Sequence, residues 1–325
     1  MATLPPALRT WLEQFNTLLR QSEQAGISPT PALARQGLAG ITAQFVTHAP
    51  DIARVIDGTI HQSPIPCRIY HPAPEAELPV VLFYHGGGHM CGDIAVYDPI
   101  CRKLAHHSQA IVVSIDYRLA PEHPYPAGVD DAFLSLRQLF PTLDQYQICY
   151  RRSLTLAGDS AGGALAATVV QSLNSQTSRQ DQGSSSADQP PSVDKLVLIY
   201  PSLDYTLTAD SLRENHAGYV LETNKIEWYF RQYLQHRECR ESVSPLYGDI
   251  PLNHPETLII TAGFCPIKDD GLHYHFRLQR AGTPSRHLHL ETMVHAYLNL
   301  ETLVPEACLQ TYQAIGDFIR QPGSS

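Results

Sequence analysis

A chain of 325 residues, 43% apolar and 17% charged, has room for one large α/β domain with a sizeable core, alone or with a modest cap. Its formal charge of −9 argues against nucleic acid or an anionic membrane as the main partner. Seven cysteines lack CxxC or Cys/His ligand spacing and sixteen histidines form no HExxH pattern, so the expectation is a reducing cytoplasm, free thiols, and no metal or cofactor.

The N-terminal stretch sets Leu8, Trp11, Leu12, Phe15, Leu18 and Leu19 on one helical face. It lacks the basic start and apolar core of a signal peptide, and no apolar run reaches membrane-spanning length. Residues 1–45 read as helical and separate, a part of a cap, and residues 46–325 as the main domain. The segment RVIDGTIHQSPIPCRIYHPAP alternates and is broken by prolines, as edge strands are.

From residue 79 the rhythm changes. VVLFYH (80–85), AIVVSIDY (110–117), LTLAG (154–158), KLVLIYP (195–201) and TLIITAG (257–263) are short continuous apolar runs. Helical stretches such as AGVDDAFLSLRQLF and AGGALAATVVQSL lie between them. That alternation predicts βαβ units and a mostly parallel sheet with helices on both faces. Two segments interrupt it: a polar, low-complexity stretch at 175–193, read as a mobile surface loop, and a helical insert at about 205–250, read as the rest of the cap.

Two motifs carry chemistry. GDSAGG (158–163) is a G-x-S-x-G elbow directly after a strand and before a helix, the context that lifts a Ser160 hydroxyl above a sheet at a helix N-terminus. HGGGH (85–89) ends an earlier strand; consecutive glycines allow close backbone approach, with N–H groups aimed at a developing oxyanion. His85 reads as an orienter of this loop, and His89, His106 and His107 as surface or locally bonded histidines.

With YRLAPEHPYPA (117–127) standing between these motifs, and LIYPSLD (198–204) and VHAYLNL (294–300) after them, the chain resembles the hormone-sensitive-lipase-like branch of the α/β-hydrolases. The resemblance covers about residues 50–320 and implies an α/β-hydrolase fold with a helical cap. It implies Ser160 as nucleophile, His295 as general base, and Gly87, Gly88 and Ala161 as backbone donors of the oxyanion hole. Arg118, Glu122 and Asp130 read as a structural ion-pair network. Tyr219, Trp228, Tyr229 and Phe230 are candidates for the pocket wall, though aromatics at helical spacing are more often core.

At one position the chain departs from the family. In AGFCPIKDDG (262–271) the resemblance calls for an aspartate supporting the histidine where Cys265 stands. A thiol is a weak, ordinarily neutral partner. With Pro266 at the first helical position and Cys265 as N-cap, Asp269 lies about one turn on, and it is taken as the first candidate for the acid. Its bland role is a first-turn aspartate complementing the helix dipole. Asp204, at the end of LIYPSLD, is the second candidate, and a site without any carboxylate the third.

The resemblance therefore implies a serine carboxylesterase acting on short-chain acyl esters, a small-molecule ester being its partner and a homodimer an open option. An amidase or deacetylase with the same machinery is the alternative within enzymes. A non-catalytic small-molecule receptor on the same fold is the alternative outside them, and the presence of both Ser160 and His295 weighs against it.

Overall fold

A computed structural model describes residues 3–177 and 190–322, so most of the polar stretch at 175–193 lies outside the described residues. One sheet organises the chain: β1 (Arg54–Thr59), β2 (Pro66–His71), β3 (Leu78–Tyr84), β4 (Ile111–Ile115), β5 (Tyr150–Asp159), β6 (Lys195–Ile199), β7 (Glu256–Phe264) and β8 (Ser285–Val294). Their order in space is β1-β2-β4-β3-β5-β6-β7-β8. β2 runs antiparallel to β1 and β4, and every pair from β4 to β8 is parallel.

The burial of each strand follows its sequence. Every position of β4 (IVVSI) and β6 (KLVLI) is buried, as in parallel strands covered on both faces. β1 is half exposed, as an edge strand is. Proline 66 opens β2, where a missing N–H is tolerated at the start of a strand.

The helices are α1 (Pro6–Gln24), α2 (Pro31–Phe45), α3 (Ile94–Ser108), α4 (Ala127–Arg137), α5 (Leu139–Gln145), α6 (Ala161–Thr177), α7 (Ser211–Glu214), α8 (Thr223–Tyr233), α9 (Arg240–Val243), α10 (Lys268–Arg280) and α11 (Pro305–Arg320). Local chemistry sets several starts. Prolines sit in the first turn of α1, α2 and α11, where the absent N–H costs nothing. Thr30 caps α2 by accepting from Leu33 N–H, and Asp93 caps α3 by accepting from Val96 N–H. α3 packs on α11, α4 on α6, and α10 on β7 and β8.

The segment between β6 and β7 carries α7, α8 and α9. On α8 the residues Ile226, Phe230 and Tyr233 are buried at helical spacing, and Phe230 meets Tyr205 at 4.7 Å between ring centroids. Phe230 therefore belongs to the core rather than to a pocket wall. The N-terminal helices touch the same end of the molecule. Asn16 donates to the Gly218 carbonyl at 2.8 Å, and Arg35 of α2 pairs with Glu122 and donates to the carbonyls of Met90 and Ala120.

The ion-pair network read from the sequence is corrected here. Arg118 pairs with Asp131, not Asp130, and Glu122 pairs with Arg35 instead of joining them. The reason is helical geometry. Asp131 is buried on the inner face of α4, where its carboxylate also accepts from Arg118 N–H, whereas Asp130, about 100° round the helix, is exposed.

Candidate active site

The loops that leave the carboxyl ends of β3, β5, β7 and β8 converge, and each brings one part of the site. This is the edge at which open parallel sheets present their ligand crevices.

From β5 comes the elbow. Ser160 has φ 51°, a left-handed conformation uncommon for a residue with a side chain. Its backbone is pinned on both sides: its N–H donates to the Ile199 carbonyl at 2.9 Å, and its carbonyl accepts from Ser202 N–H at 3.1 Å. Two residues on, any side chain at Gly162 would put Cβ 1.9 Å from the Tyr84 carbonyl oxygen. The glycine lets α6 start hard against the end of β3.

From β3 comes the glycine loop. Gly87 and Gly88 have φ 120° and 64°, which glycine adopts at little cost. The loop is fastened to the elbow by Asp159, a residue singled out by no sequence argument. Its Oδ1 accepts from Gly86 N–H at 2.7 Å and its Oδ2 from the Tyr97 hydroxyl at 3.1 Å. Burial raises the Asp159 pKa to about 7, against the opposing pull of those donors. The N–H groups of Gly87, Gly88 and Ala161 bond to no acceptor elsewhere in the chain among the described residues.

His85 and His89 flank that loop. His85 Nδ1 lies 2.8 Å from the Gly86 carbonyl, and its ring stacks on Tyr117. Of the two roles read for His89, surface or locally bonded, it takes the second. It is buried, stacked on Tyr233 at 3.9 Å and with its Nε2 3.1 Å from the Tyr205 hydroxyl. The aromatic residues of α8 and the adjoining turns, which a motif reading leaves uncounted, enclose it.

From β8 comes His295, buried, with Nε2 2.9 Å from Ser160 Oγ. From β7, its parallel neighbour, comes Cys265, whose Sγ lies 3.2 Å from His295 Nδ1. Because the two strands end side by side, the residue after β7 and the residue after β8 meet directly. The Tyr200 ring stands edge-on to the imidazole at 4.9 Å. Burial first, and the Lys225 ammonium second, lower the His295 pKa to about 3. Burial holds the Cys265 thiol far above its ordinary range, with the Ile267 N–H opposing, so the group beside the imidazole is neutral.

Neither candidate carboxylate reaches the histidine. Asp269 is corrected on this point: its Oδ2 accepts from Ser211 N–H at 2.9 Å, at the start of α7. The cause lies in the helix start. α10 begins at Lys268 with Ile267 before it, not at Pro266 with Cys265 as its cap, so Asp269 falls in the first turn with its carboxylate on α7, while Cys265 occupies the space at Nδ1. Asp204 serves its own turn, accepting from Thr206 and from the Tyr247 hydroxyl. Asp270, unremarked in the sequence, is buried and accepts from the N–H groups of Leu203 and Asp204, tying α10 to the segment after β6.

Of the aromatic residues considered for the pocket wall, Tyr229 lies nearest the glycine loop. A Cβ on Gly88 would stand 2.8 Å from its ring. Lys225, one turn back on α8, holds its Nζ 5.9 Å from the centre of that ring. It keeps solvent access although protein surrounds it closely, and it forms no ion pair among the described residues. Tyr219 packs on Phe264 at 5.2 Å, and Trp228 on Tyr229 at 5.3 Å.

Among the described residues no group of His, Cys, Asp and Glu has the arrangement of a metal site, and no helix is long and apolar enough to cross a membrane. All seven cysteines are free; Cys149 and Cys239 are exposed.

With this geometry in view, residues 81–299, more than half of the chain, match the model of a family described as having the alpha/beta hydrolase fold. Among curated proteins, the chain is 37% identical over 270 residues to the esterase LipI of Mycobacterium tuberculosis, covering 81% of this chain and 80% of LipI. It is 29% identical over 249 residues to the ethyl acetate hydrolase of Pseudomonas putida, covering 75% of this chain and 74% of that one. Among solved structures, the esterase of the archaeon Pyrobaculum calidifontis superposes with a TM-score of 0.81 at 30% identity, over 98% of both chains.

Proposed function

We propose, for a chain that belongs to the hormone-sensitive-lipase-like branch of the α/β-hydrolase fold family and is a carboxylic ester hydrolase, that it cleaves short-chain acyl esters through an acyl-enzyme on Ser160. One observation carries this reading: a serine on a left-handed elbow, directly before α6, lies 2.9 Å from a buried imidazole. Ser160 Oγ attacks the ester carbonyl as its proton passes to His295 Nε2. The carbonyl oxygen becomes an oxyanion, held by the N–H groups of Gly87, Gly88 and Ala161. Its collapse expels the alcohol, which takes the proton from His295. Water then gives a proton to His295 and attacks the acyl carbon, and Ser160 leaves with that proton as the free acid forms.

The short acyl chain is supported by Tyr229, whose ring closes over Gly88 and narrows the space beside the oxyanion position. The similarity to an ethyl acetate hydrolase points the same way. The test is labelling with a fluorophosphonate probe, together with turnover of p-nitrophenyl acetate, butyrate, octanoate and laurate. Labelling that vanishes in Ser160→Ala, with kcat/KM falling beyond butyrate, is expected. An unlabelled but folded protein would favour the receptor reading, and a preference for laurate would remove the short-chain claim.

A further inference from the structure

The partner of His295 has a consequence for how the enzyme works, and it rests on the reading just given. A carboxylate at Nδ1 does two things: it has no proton to donate, so the ring proton must sit on Nδ1, and its charge stabilises the imidazolium formed when the serine proton arrives. Cys265 presents a thiol 3.2 Å from Nδ1 instead. A thiol can donate or accept. When the ring donates Nδ1–H to sulfur, Nε2 is bare and can take the Ser160 proton. When the thiol donates to Nδ1, the ring proton is on Nε2, facing Ser160, and the pair cannot react. The Sγ–Nδ1 contact allows both arrangements.

Among the described residues no carboxylate bonds to the imidazole, whose partners are Cys265 Sγ and Ser160 Oγ. Tyr200 is edge-on, and the charged group that acts on the ring is the cation of Lys225 on α8. The groups of α10 that act on the thiol are Lys268, Asp269 and Asp270. Of these, Asp269 is bonded to Ser211 and Asp270 to the backbone at 203–204.

We infer that Cys265 is the positioning residue for His295, holding the imidazole by a neutral hydrogen bond, and that the chain runs below the rate its own scaffold permits because that bond supplies neither a fixed tautomer nor a counter-charge. A carboxylate at this position would face Nδ1. Neutralising a triad carboxylate costs about 10⁴-fold in kcat where it has been measured. A thiol recovers part of that, so Cys265→Asp is expected to raise kcat for p-nitrophenyl butyrate about 10- to 10³-fold with little change in KM. Its acid limb moves up in pH, towards and beyond the ordinary imidazole value of about 6.5.

The experiment compares the wild type with Cys265→Asp, Cys265→Asn, Cys265→Ala and Ser160→Ala by kcat, KM and pH profile, with folding checked by circular dichroism. Cys265→Asn, which matches the aspartate in size but carries no charge, is expected to show neither the gain nor the shift. Cys265→Ala, which leaves Nδ1 unpartnered, is expected to lose about tenfold in kcat. Nitrogen-15 NMR of the histidine rings in the wild type, which needs no variant to fold, should show His295 in exchange between its two neutral tautomers. The inference is overturned by a folded Cys265→Asp with unchanged kcat and limb, by a Cys265→Ala equal to wild type, or by a single Nδ1–H tautomer. Activity persisting in Ser160→Ala would instead sink the reading beneath it, so the two failures are distinguishable.

Discussion

The two sides of His295 are built to different standards. On the Ser160 side each backbone group has a fixed place. The elbow is bonded to β6 and to the turn after it, and Asp159 joins the elbow to the glycine loop through Gly86 and Tyr97. On the far side a single sulfur contact at 3.2 Å holds Nδ1, while Asp269 and Asp270, within a few residues, and Asp204, remote in sequence, are each committed elsewhere. Nucleophile and oxyanion donors depend on backbone geometry, which glycines and a strand–turn–helix junction impose locally. Support of the histidine depends on one side chain, which can change without disturbing the fold around it.

That contrast is sharpest where the effects are largest. Replacing Ser160 by alanine should reduce kcat for p-nitrophenyl butyrate by at least about 10⁴-fold with folding intact, because removing the nucleophile leaves only binding and oxyanion stabilisation. Residual activity within tenfold of wild type would mean that the well-built side is not the catalytic one. Next in size is Gly162→Ala. A methyl group 1.9 Å from the Tyr84 carbonyl oxygen and 2.7 Å from that of His85 meets backbone on two sides, and neither can yield. The expected cost is about 3 kcal/mol or more of stability, read from urea unfolding. A melting temperature within about 2 °C of wild type would show the junction to be looser than argued.

On the weakly built side the expected changes are smaller. Lys225→Met removes the cation that disfavours the imidazolium, so the acid limb of kcat/KM should move to higher pH. It should remain below the ordinary value of about 6.5, since burial is the larger cause of the depression. A limb that stays in place would show that the ammonium does not act on the ring. Smallest of all is Asp269→Asn, expected to change kcat by less than about threefold, since an amide oxygen can still accept from Ser211 N–H. A loss approaching 10⁴-fold would return Asp269 to the role of triad acid.

The same contrast explains what could be read from the residues alone. The continuous apolar runs at 80–85, 154–158, 195–201 and 257–263 each coincide with a strand to within two residues of its end, as strands buried on both faces of a parallel sheet do. The separation of Ser160 from His295 by 135 positions is no obstacle, since β5 and β8 fix where both residues emerge. What the sequence did not disclose depends on which way a side chain turns. Asp130 and Asp131 differ only in helical phase, and the phase of α4 is set by packing on α6. Proline 266 suggested a helix start, but α10 begins two residues later, which carries Asp269 away from the imidazole. His89 reads as either surface or locally bonded, and the aromatic residues of the 205–250 segment that cover it decide between the two. Asp159 was legible in principle, as an acid between a strand and its elbow, but its partners Gly86 and Tyr97 are remote in sequence.

The most direct measurement is the pH dependence of kcat/KM for the wild-type protein with p-nitrophenyl butyrate, by pH-jump from a neutral stock, with Ser160→Ala as the blank. A buried imidazole with a neutral thiol on one side and a cation in range stays unprotonated until its pKa of about 3 is approached. Serine esterase chemistry through His295 and Cys265 therefore predicts a plateau that continues unbroken from neutral pH down to about pH 4. Half-loss of activity near the ordinary imidazole value of about 6.5 or above would contradict it; the same limb in an Asp159→Asn variant would assign that loss to the imidazole and not to Asp159, whose pKa is raised to about 7 by burial.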